Sequence, residues 1–337
     1  MKRLLDRHRL VRALACVAWL LPAAASAQVL CVWDPMGAQG DGYNTMKDYV
    51  ISARGWGPGV NITLKPYTDE RVATEDFKAG QCDGALITGL RARQFNQFVG
   101  SIDSVGSIPS YTHMRDVVDL LANPKLSSLM INGNYEIAGA VPIGAGYFFV
   151  NDRSINTLAK AAGKKIAVFD WDKSQAEMVK MVGAQPVSAD ITTFGGKFNN
   201  NQVDIIVAPI FAYKPMELYK GLGTKGGIAR FPVIQITFQL VLNKDKFPAG
   251  FGQKSREYIA TQVPRFFGLI RNTEREVDPK FWMHVPLSDR GGYEKIMREL
   301  RIHLTKSGFY DPRMMTLLKR VRCKREPDAA ECTLKDE

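Results

Sequence analysis

The chain has 337 residues, of which 45% are hydrophobic and 23% charged, a composition that excludes an intrinsically disordered protein and predicts an ordered globular one. This length exceeds one ordinary hydrophobic core and favours two lobes with an appendage. The formal net charge of +11 falls to +7 if residues 1–27, with five basic residues and one acidic residue, are removed. Such a moderate charge could aid contact with acidic surfaces, and we expect no nucleic-acid partner outside the cytoplasm.

Residues 1–27 have the pattern of a secretory signal peptide. Basic residues precede an apolar run over 13–25, and Ala25, Ser26 and Ala27 form a small-residue cleavage site. We predict cleavage after Ala27 and delivery to the periplasm. The apolar run and every later segment fall short of the roughly 20 apolar residues of a transmembrane helix. Lipid attachment at Cys16 is a disfavoured alternative, because Ala13 stands three residues before it and the apolar run continues past it.

The mature chain begins with a strand-helix-strand-helix-strand pattern, which is typical of a parallel sheet. The predicted strands cover 29–34, 61–66 and 84–88, and the predicted helices cover 40–54 and 69–79. Thr68 is the expected cap of the second helix. A further helix is predicted over 115–121.

The pattern recurs once. Phe77, Gln81 and Asp83 in the stretch FKAGQCDGALIT recur 121 positions later in FNNNQVDIIVAP, and 165–170 (KIAVFD) repeats the first strand. The second unit adds helices over 174–182 and 191–200, and a strand over 185–188. Two similar units predict a two-lobed α/β clamshell of the periplasmic-binding-protein type, each lobe a mainly parallel sheet flanked by helices.

Two β-rich stretches should connect the lobes side by side, one over 135–151 and one over 231–243. Helices follow over 253–276, 292–307 and 312–322, and Pro264 should kink or divide the first. The basic cluster within 319–325 is expected to be a solvated helix end. The predicted domains are a signal peptide 1–27, lobe I over 28–140 with 238–252 returning to it, lobe II over 141–237, and C-terminal helices over 253–337 packing across the lobes.

Four cysteines remain after removal of the signal peptide, an even number that predicts two disulfides in an oxidising compartment. Cys31 lies in the first strand and Cys82 enters the third, so the sheet should bring them together. Cys323 and Cys332 close a short polar loop. We predict these two pairs.

Open parallel sheets bind ligands beyond the carboxyl ends of their strands, so the loops at these ends should face a common cleft. Their mixed charges and aromatic side chains suit a small polar solute, although each residue could instead be a surface group or a helix cap. The candidate ligand-binding residues are Asp34, Glu70, Thr88, Arg91, Arg93, Tyr147, Asp170, Trp171, Asp172 and Tyr213, and Asp41, Tyr43, Pro209 and Phe211 belong to the same loops.

Signatures of catalysis are missing from the sequence. The four histidines are scattered, and no HExxH, Cys-x-x-Cys or G-x-S-x-G pattern occurs. The glycine-rich loop 37–42 lacks the spacing of a nucleotide site, so a plain loop that presents helix N-terminal amides is favoured. We predict no enzyme, no metal and no cofactor. In the alternative, a periplasmic enzyme, Asp170 and Asp172 would be the acid-base pair.

The sequence resembles a family of binding proteins. Residues 163–209 (GKKIAVFDWDKSQAEMVKMVGAQPVSADITTFGGKFNNNQVDIIVAP) and the run QLVLNKDKFP resemble the second lobe and return strand of DctP-like proteins, the periplasmic solute-binding proteins of TRAP transporters. CVWDPMGAQGDGY, YTDERVATEDFKAGQCDGALITGLRARQF and GSIDSVGSIP are similar to AdeT-like solute-binding proteins, once described as efflux components. The resemblance covers nearly the whole mature chain. It implies an exported protein that captures a solute and delivers it to a membrane transporter or efflux component.

Two departures from the DctP-like pattern bear on the ligand. Those proteins have an arginine that anchors a ligand carboxylate where this chain has Ala167, and often an asparagine where it has Ala208. The acidic and aromatic loop residues suit a cationic or zwitterionic solute. The positive net charge, and Arg91 or Arg93 acting from the other lobe, suit an anion. Both alternatives stay open, as does an accessory protein of an efflux or sensing complex with the same fold.

Overall fold

The computed structural model describes residues 27–337. The predicted signal peptide therefore lies outside the described residues, apart from Ala27. Over the described part of the chain, no helix combines the length and apolarity needed to cross a membrane.

Eleven strands are present in the described residues. They are β1 Gln28–Trp33, β2 Ile62–Tyr67, β3 Gly84–Thr88, β4 Ile131–Asn132, β5 Tyr135–Val150, β6 Lys165–Phe169, β7 Gln185–Ala189, β8 Ile205–Pro209, β9 Gly227–Ala229, β10 Ile234–Asn243 and β11 Trp282–Met283.

Twelve α-helices lie between and after these strands in the same range. They are α1 Asp41–Ala53, α2 Glu70–Lys78, α3 Gly89–Ala92, α4 Gln97–Gly100, α5 Tyr111–Leu121, α6 Leu158–Ala161, α7 Lys173–Met181, α8 Phe194–Asn199, α9 Tyr219–Leu222, α10 Phe251–Arg275, α11 Leu287–Lys306 and α12 Pro312–Arg325.

One sheet runs through the molecule in the order β2-β1-β3-β10-β5-β8-β6-β7. The first three strands are parallel to one another, and so are the last three. Between these groups, β10 pairs antiparallel with β5 from Ile234 opposite Gly146 to Asn243 opposite Tyr135. The fold therefore has two parallel lobes, the first lobe (β1–β3) and the second lobe (β6–β8), connected by the two crossing strands β5 and β10. This confirms the predicted fold class.

The two repeated stretches make the same local structure. The backbone N–H of Asp83 donates to the carbonyl of Val29 at 2.7 Å, and its carboxylate accepts the Val29 N–H at 2.9 Å. Asp204 makes the same two bonds with Lys165, at 2.8 and 2.9 Å. In each lobe an aspartate thus fixes the start of the first strand against the start of the last.

Both disulfides expected from the sequence are present. Cys31 is bonded to Cys82, which connects β1 to the turn before β3. Cys323 is bonded to Cys332, which closes a short loop after α12.

Local details differ from the sequence predictions. Asp69, not Thr68, caps α2, because its carboxylate accepts the backbone N–H groups of Arg71 and Val72. Pro264 does not divide its helix, since α10 runs through it without a break, and a kink at this proline stays a prediction. Buried side chains on both sides of this proline pack the helix along β5, and that packing outweighs the local propensity.

The basic cluster at the end of α12 is only partly a solvated helix end, so that expectation was wrong for two of its members. Lys319 and Arg322 are buried. Arg322 donates to Glu331 at 2.6 Å and pairs with Glu337 at 3.2 Å. The reason is that two acidic residues fold back over α12, Glu331 from within the disulfide loop and Glu337 from beyond it, and neutralise the charge of Arg322.

Candidate ligand-binding cleft

A small cavity lies where two parallel strands of each lobe end. Trp33, Thr88, Phe169 and Pro209 are the last residues of β1, β3, β6 and β8, and all four line this cavity of about 80 Å³, which we call the inner cavity. Both lobes therefore contribute to it, as expected for ligand sites of open parallel sheets.

Most of the inner cavity is apolar. Its polar groups are Thr88, Asp172, Ser174 and Gln175, and Ala167 forms part of the wall. The remaining lining side chains are hydrophobic, including residues of both crossing strands, so Ala167 faces an apolar chamber.

A larger cavity of about 300 Å³, the outer cavity, lies beside the crossing strands. Its walls come from the loop after β1, from β5 and β10, from residues 210–215 after β8, and from α10. Ile143 and Phe211 line both cavities, so the two chambers share a wall.

Asp34 lies in the wall of the outer cavity, where backbone donors hold its carboxylate. The N–H of Met36 donates to it at 2.8 Å and the N–H of Tyr43 at 3.2 Å. Burial raises the pKa of Asp34, and these donors oppose the rise. Only glycine fits at position 40, since a Cβ there would lie 1.8 Å from the carboxylate.

Glu274 of α10 also lines the outer cavity. The Tyr147 hydroxyl donates to its Oε1 at 2.9 Å, and the Tyr111 hydroxyl donates to the same atom at 2.5 Å. Burial first, and then the charge of Glu274, raise the pKa of Tyr147, so this hydroxyl stays a donor. Tyr147, a predicted site residue, thus contacts the lining of the outer cavity through a carboxylate that the sequence prediction omitted.

Glu70, Thr88 and Arg91 form a buried network inside the first lobe. Glu70 accepts the backbone N–H of Thr88 at 2.7 Å, its hydroxyl at 2.6 Å and the Arg91 Nε at 3.0 Å. Burial raises the pKa of Glu70, and Arg91 opposes that rise. Glu70 and Arg91 line neither cavity in the described residues.

Two arginines of the first lobe contact the second lobe. The Arg91 guanidinium lies over the Trp171 ring, 4.2 Å from its centroid. Arg93 approaches Asp172 at 3.9 Å and donates to the carbonyls of Gly100 and Asp103. These contacts bridge the lobes beside the inner cavity.

The other predicted residues lie outside the cavity linings. Asp170 is exposed, and Trp171 is half-buried and stacked on Phe169. Tyr213 is buried against Phe149. Of the ten candidates, only Asp34, Thr88 and Asp172 line a cavity. Ligand contact by any of the ten stays a prediction.

The lining residues that sequence reasoning missed include Ile143, Lys214, Phe238 and Glu274. Ile143 and Phe238 lie midway along the crossing strands, and the prediction that these strands run under the cleft could have identified them. For Lys214 and Glu274 we find no such signal. Within residues 27–337, no cluster of three His, Cys, Asp or Glu side chains could hold a metal ion.

Two lobes that enclose cavities at their strand ends define the fold of periplasmic solute-binding proteins. A TRAP periplasmic solute-binding protein from Desulfovibrio salexigens, solved with bound orotic acid, matches with a TM-score of 0.71 and 15% identity, covering 88% of this chain and 98% of that chain. Another, from Ralstonia eutropha H16 with bound (S)-2-acetolactate, matches with a TM-score of 0.72 and 14% identity, covering 89% and 99%.

Sequence comparison identifies the family. The profile of the family "Solute-binding protein AdeT 1/2" matches residues 55–337. The probable solute-binding protein AdeT1 of Acinetobacter baumannii is 53% identical over 306 residues, which cover 91% of this chain and 100% of that protein. The chain belongs to the AdeT 1/2 family of solute-binding proteins, which confirms the resemblance found in the sequence.

Proposed function

We propose that this protein is exported to the periplasm, loses residues 1–27 by cleavage after Ala27, and binds a small polar solute between its lobes for delivery to a membrane transporter. It acts by binding and release rather than by catalysis. Lobe I comprises 28–140 with 238–252, and lobe II comprises 141–237. The helices over 253–337 span both lobes, with α11 against α7 and α12 against α4 and α5.

One observation carries this proposal. The two cavities lie at the carboxyl ends of the parallel strands, and their walls come from both lobes and both crossing strands. A solute in this position contacts both lobes at once, so its binding energy favours the closed arrangement over an open one.

The solute differs from those of the structural neighbours. The two reported neighbours were solved with bound carboxylic acids. Among the described residues lining the two cavities here, none is an arginine, and the one lysine, Lys214, pairs with Glu276 at 2.8 Å. An organic acid would therefore enter these cavities without a free cationic partner.

The test is a thermal-shift measurement on the mature protein with fractionated metabolites. A ligand that binds only the folded state adds about 2.7 kcal/mol at a concentration of 100 Kd. We expect one fraction to raise the melting temperature of the wild type and to act less on Phe211→Ala, which removes an aromatic wall of both cavities. Leu287→Ala, at a 78% exposed position outside them, is the matched control and should respond as the wild type does.

If no fraction shifts the melting temperature at millimolar concentration, solute binding loses its support. If Phe211→Ala responds as strongly as the wild type, the solute binds elsewhere on the protein.

A further inference from the structure

The charged groups around the outer cavity are mainly acidic. The lining contains four carboxylates, Asp34, Asp41, Glu274 and Glu276, against the single base Lys214. Lys214 and Glu276 are paired and exposed, at 61% and 48% of their side chains, so they neutralise each other at the rim. The charge that faces the interior is therefore negative.

Glu274 is the best-positioned of these carboxylates. Two tyrosine hydroxyls from different elements, Tyr111 of α5 and Tyr147 of β5, donate to its Oε1. They fix the orientation of the carboxylate at the cavity wall. Within the described residues, its second oxygen, Oε2, has no hydrogen-bond partner, and it is free to accept one from a ligand. Charge-assisted hydrogen bonds of this kind are about twice as strong as neutral ones.

Apart from Thr45 and Thr273, the other side chains that line the outer cavity are apolar or aromatic. Phe211, Phe238 and Phe266 lie in its wall together with Leu269 and Ile270. Phe211 and Phe238 meet edge to face with centroids 6.0 Å apart. Aromatic faces attract cations as well as apolar groups, each contact contributing about 0.5–2 kcal/mol. The volume of about 300 Å³ is at the small end of ligand pockets.

From this geometry we infer that the outer cavity binds a small organic monocation with an aromatic or branched apolar body. Its ammonium group donates to Oε2 of Glu274, and its body packs against Phe211 and Phe238. This inference rests on the proposed function, because it names the chemical class of the solute held in that cleft.

Three probes of nearly equal shape test the inference. They are 2-phenylethylammonium, 2-phenylethanol and 3-phenylpropionate, which carry a positive, a neutral and a negative group on the same phenylalkyl body. We expect isothermal titration of the mature wild type at neutral pH to give a Kd at least about tenfold lower for the cation than for the alcohol, and no binding of the anion.

Matched variants test whether Glu274 is the group that binds the cation. Glu274→Gln keeps an oxygen that can accept from the tyrosine hydroxyls, and it should weaken binding of the cation about tenfold or more while leaving the alcohol unchanged. Glu257→Gln, an exposed position on the same helix outside the cavity, should change neither. The three-probe comparison on the wild type decides the question even if Glu274→Gln fails to fold.

Several results would overturn the inference. They are equal or tighter binding of the alcohol or the propionate, cation binding that survives Glu274→Gln, or no binding of any probe at millimolar concentration. The proposed function would survive each of them if a metabolite fraction still raises the melting temperature of the wild type and acts less on Phe211→Ala. If no metabolite fraction meets this condition either, both the inference and the proposed function lose their support.

Discussion

Replacing Arg91 with methionine separates two roles that this residue could have, a ligand anchor or an internal partner of Glu70. The two side chains are 8% and 0% exposed, and the Arg91 Nε lies 3.0 Å from Glu70 Oε2. Methionine keeps an unbranched apolar stem against the Trp171 ring. The main change is therefore the loss of the positive charge beside a fully buried carboxylate.

The magnitude follows from that geometry. At a separation of 3.0 Å the attraction is about 5.5 kcal/mol with an effective dielectric constant near 20, before desolvation is counted. Removing one member of a buried pair costs about 3–5 kcal/mol because the other charge stays buried without compensation. We expect Arg91→Met to lower the free energy of unfolding by this amount, and Glu70→Gln combined with Arg91→Met to lower it by less.

The assay is urea unfolding of the three proteins at pH 5 and pH 8. Burial raises the pKa of Glu70, and loss of Arg91 removes a group that opposes the rise. The folded variant can then take up a proton at low pH, so its deficit should be smaller at pH 5 than at pH 8. A deficit below about 1 kcal/mol, together with loss of solute binding, would refute this reasoning and make Arg91 a ligand anchor.

Three further perturbations test the fold around the cleft. Replacing both Cys31 and Cys82 by alanine should cost about 4 kcal/mol of unfolding free energy, because that disulfide has a sequence separation of 51. Non-reducing peptide mapping that finds free thiols there would contradict this pairing. Burial raises the pKa of Asp103 to about 7 from 3.8, so the folded state binds its proton more tightly. Stability should fall as pH rises between these values, by up to about 1.4 kcal/mol per pH unit, and Asp103→Asn should flatten that slope in urea unfolding. Gly40→Ala should lower the melting temperature, since its Cβ would lie 1.8 Å from a buried carboxylate, whereas Gly55→Ala, with nothing within 4 Å, should change it little; equal effects would contradict the reported packing.

The repeated architecture was predictable because it depends on local signals. A buried parallel strand is a short apolar run, and the turn before it has a defined backbone conformation. Gly80 and Asn201, which are 121 positions apart, both adopt positive φ where α2 and α8 end. The repeat therefore predicted two lobes of the same local structure, and the first and third strands of the first lobe were expected to bring Cys31 and Cys82 together, as they do.

The cleft was predictable in position but not in chemistry. Asp34, Thr88 and Asp172, which were selected because they follow or end parallel strands, line the cavities, and their contact with a ligand stays a prediction. The rule that parallel strands end at the ligand site could not reveal that Glu70 and Arg91 pair with each other, because both lie at the start of helices that follow strand ends, where either could face a ligand. The sequence shows which charged residues follow the strand ends, but it does not show which of them pair with each other in the folded protein.

The C-terminal contribution to the cleft was not predictable. Glu274 lies on α10, far along the chain from both repeated units, and reaches the outer cavity only because this helix packs along β5. Its tyrosine partners, Tyr111 and Tyr147, come from a helix of the first half and from a crossing strand. Long-range packing alone brings the three together.

The central claim is that a solute is held between the lobes. The most direct measurement is a crystal structure of the mature protein with the metabolite fraction that raises its melting temperature. We predict ligand density in the outer cavity, in contact with Phe211 and with a polar group within hydrogen-bond distance of Glu274. Ligand density outside both cavities, with the cleft empty, would contradict the account.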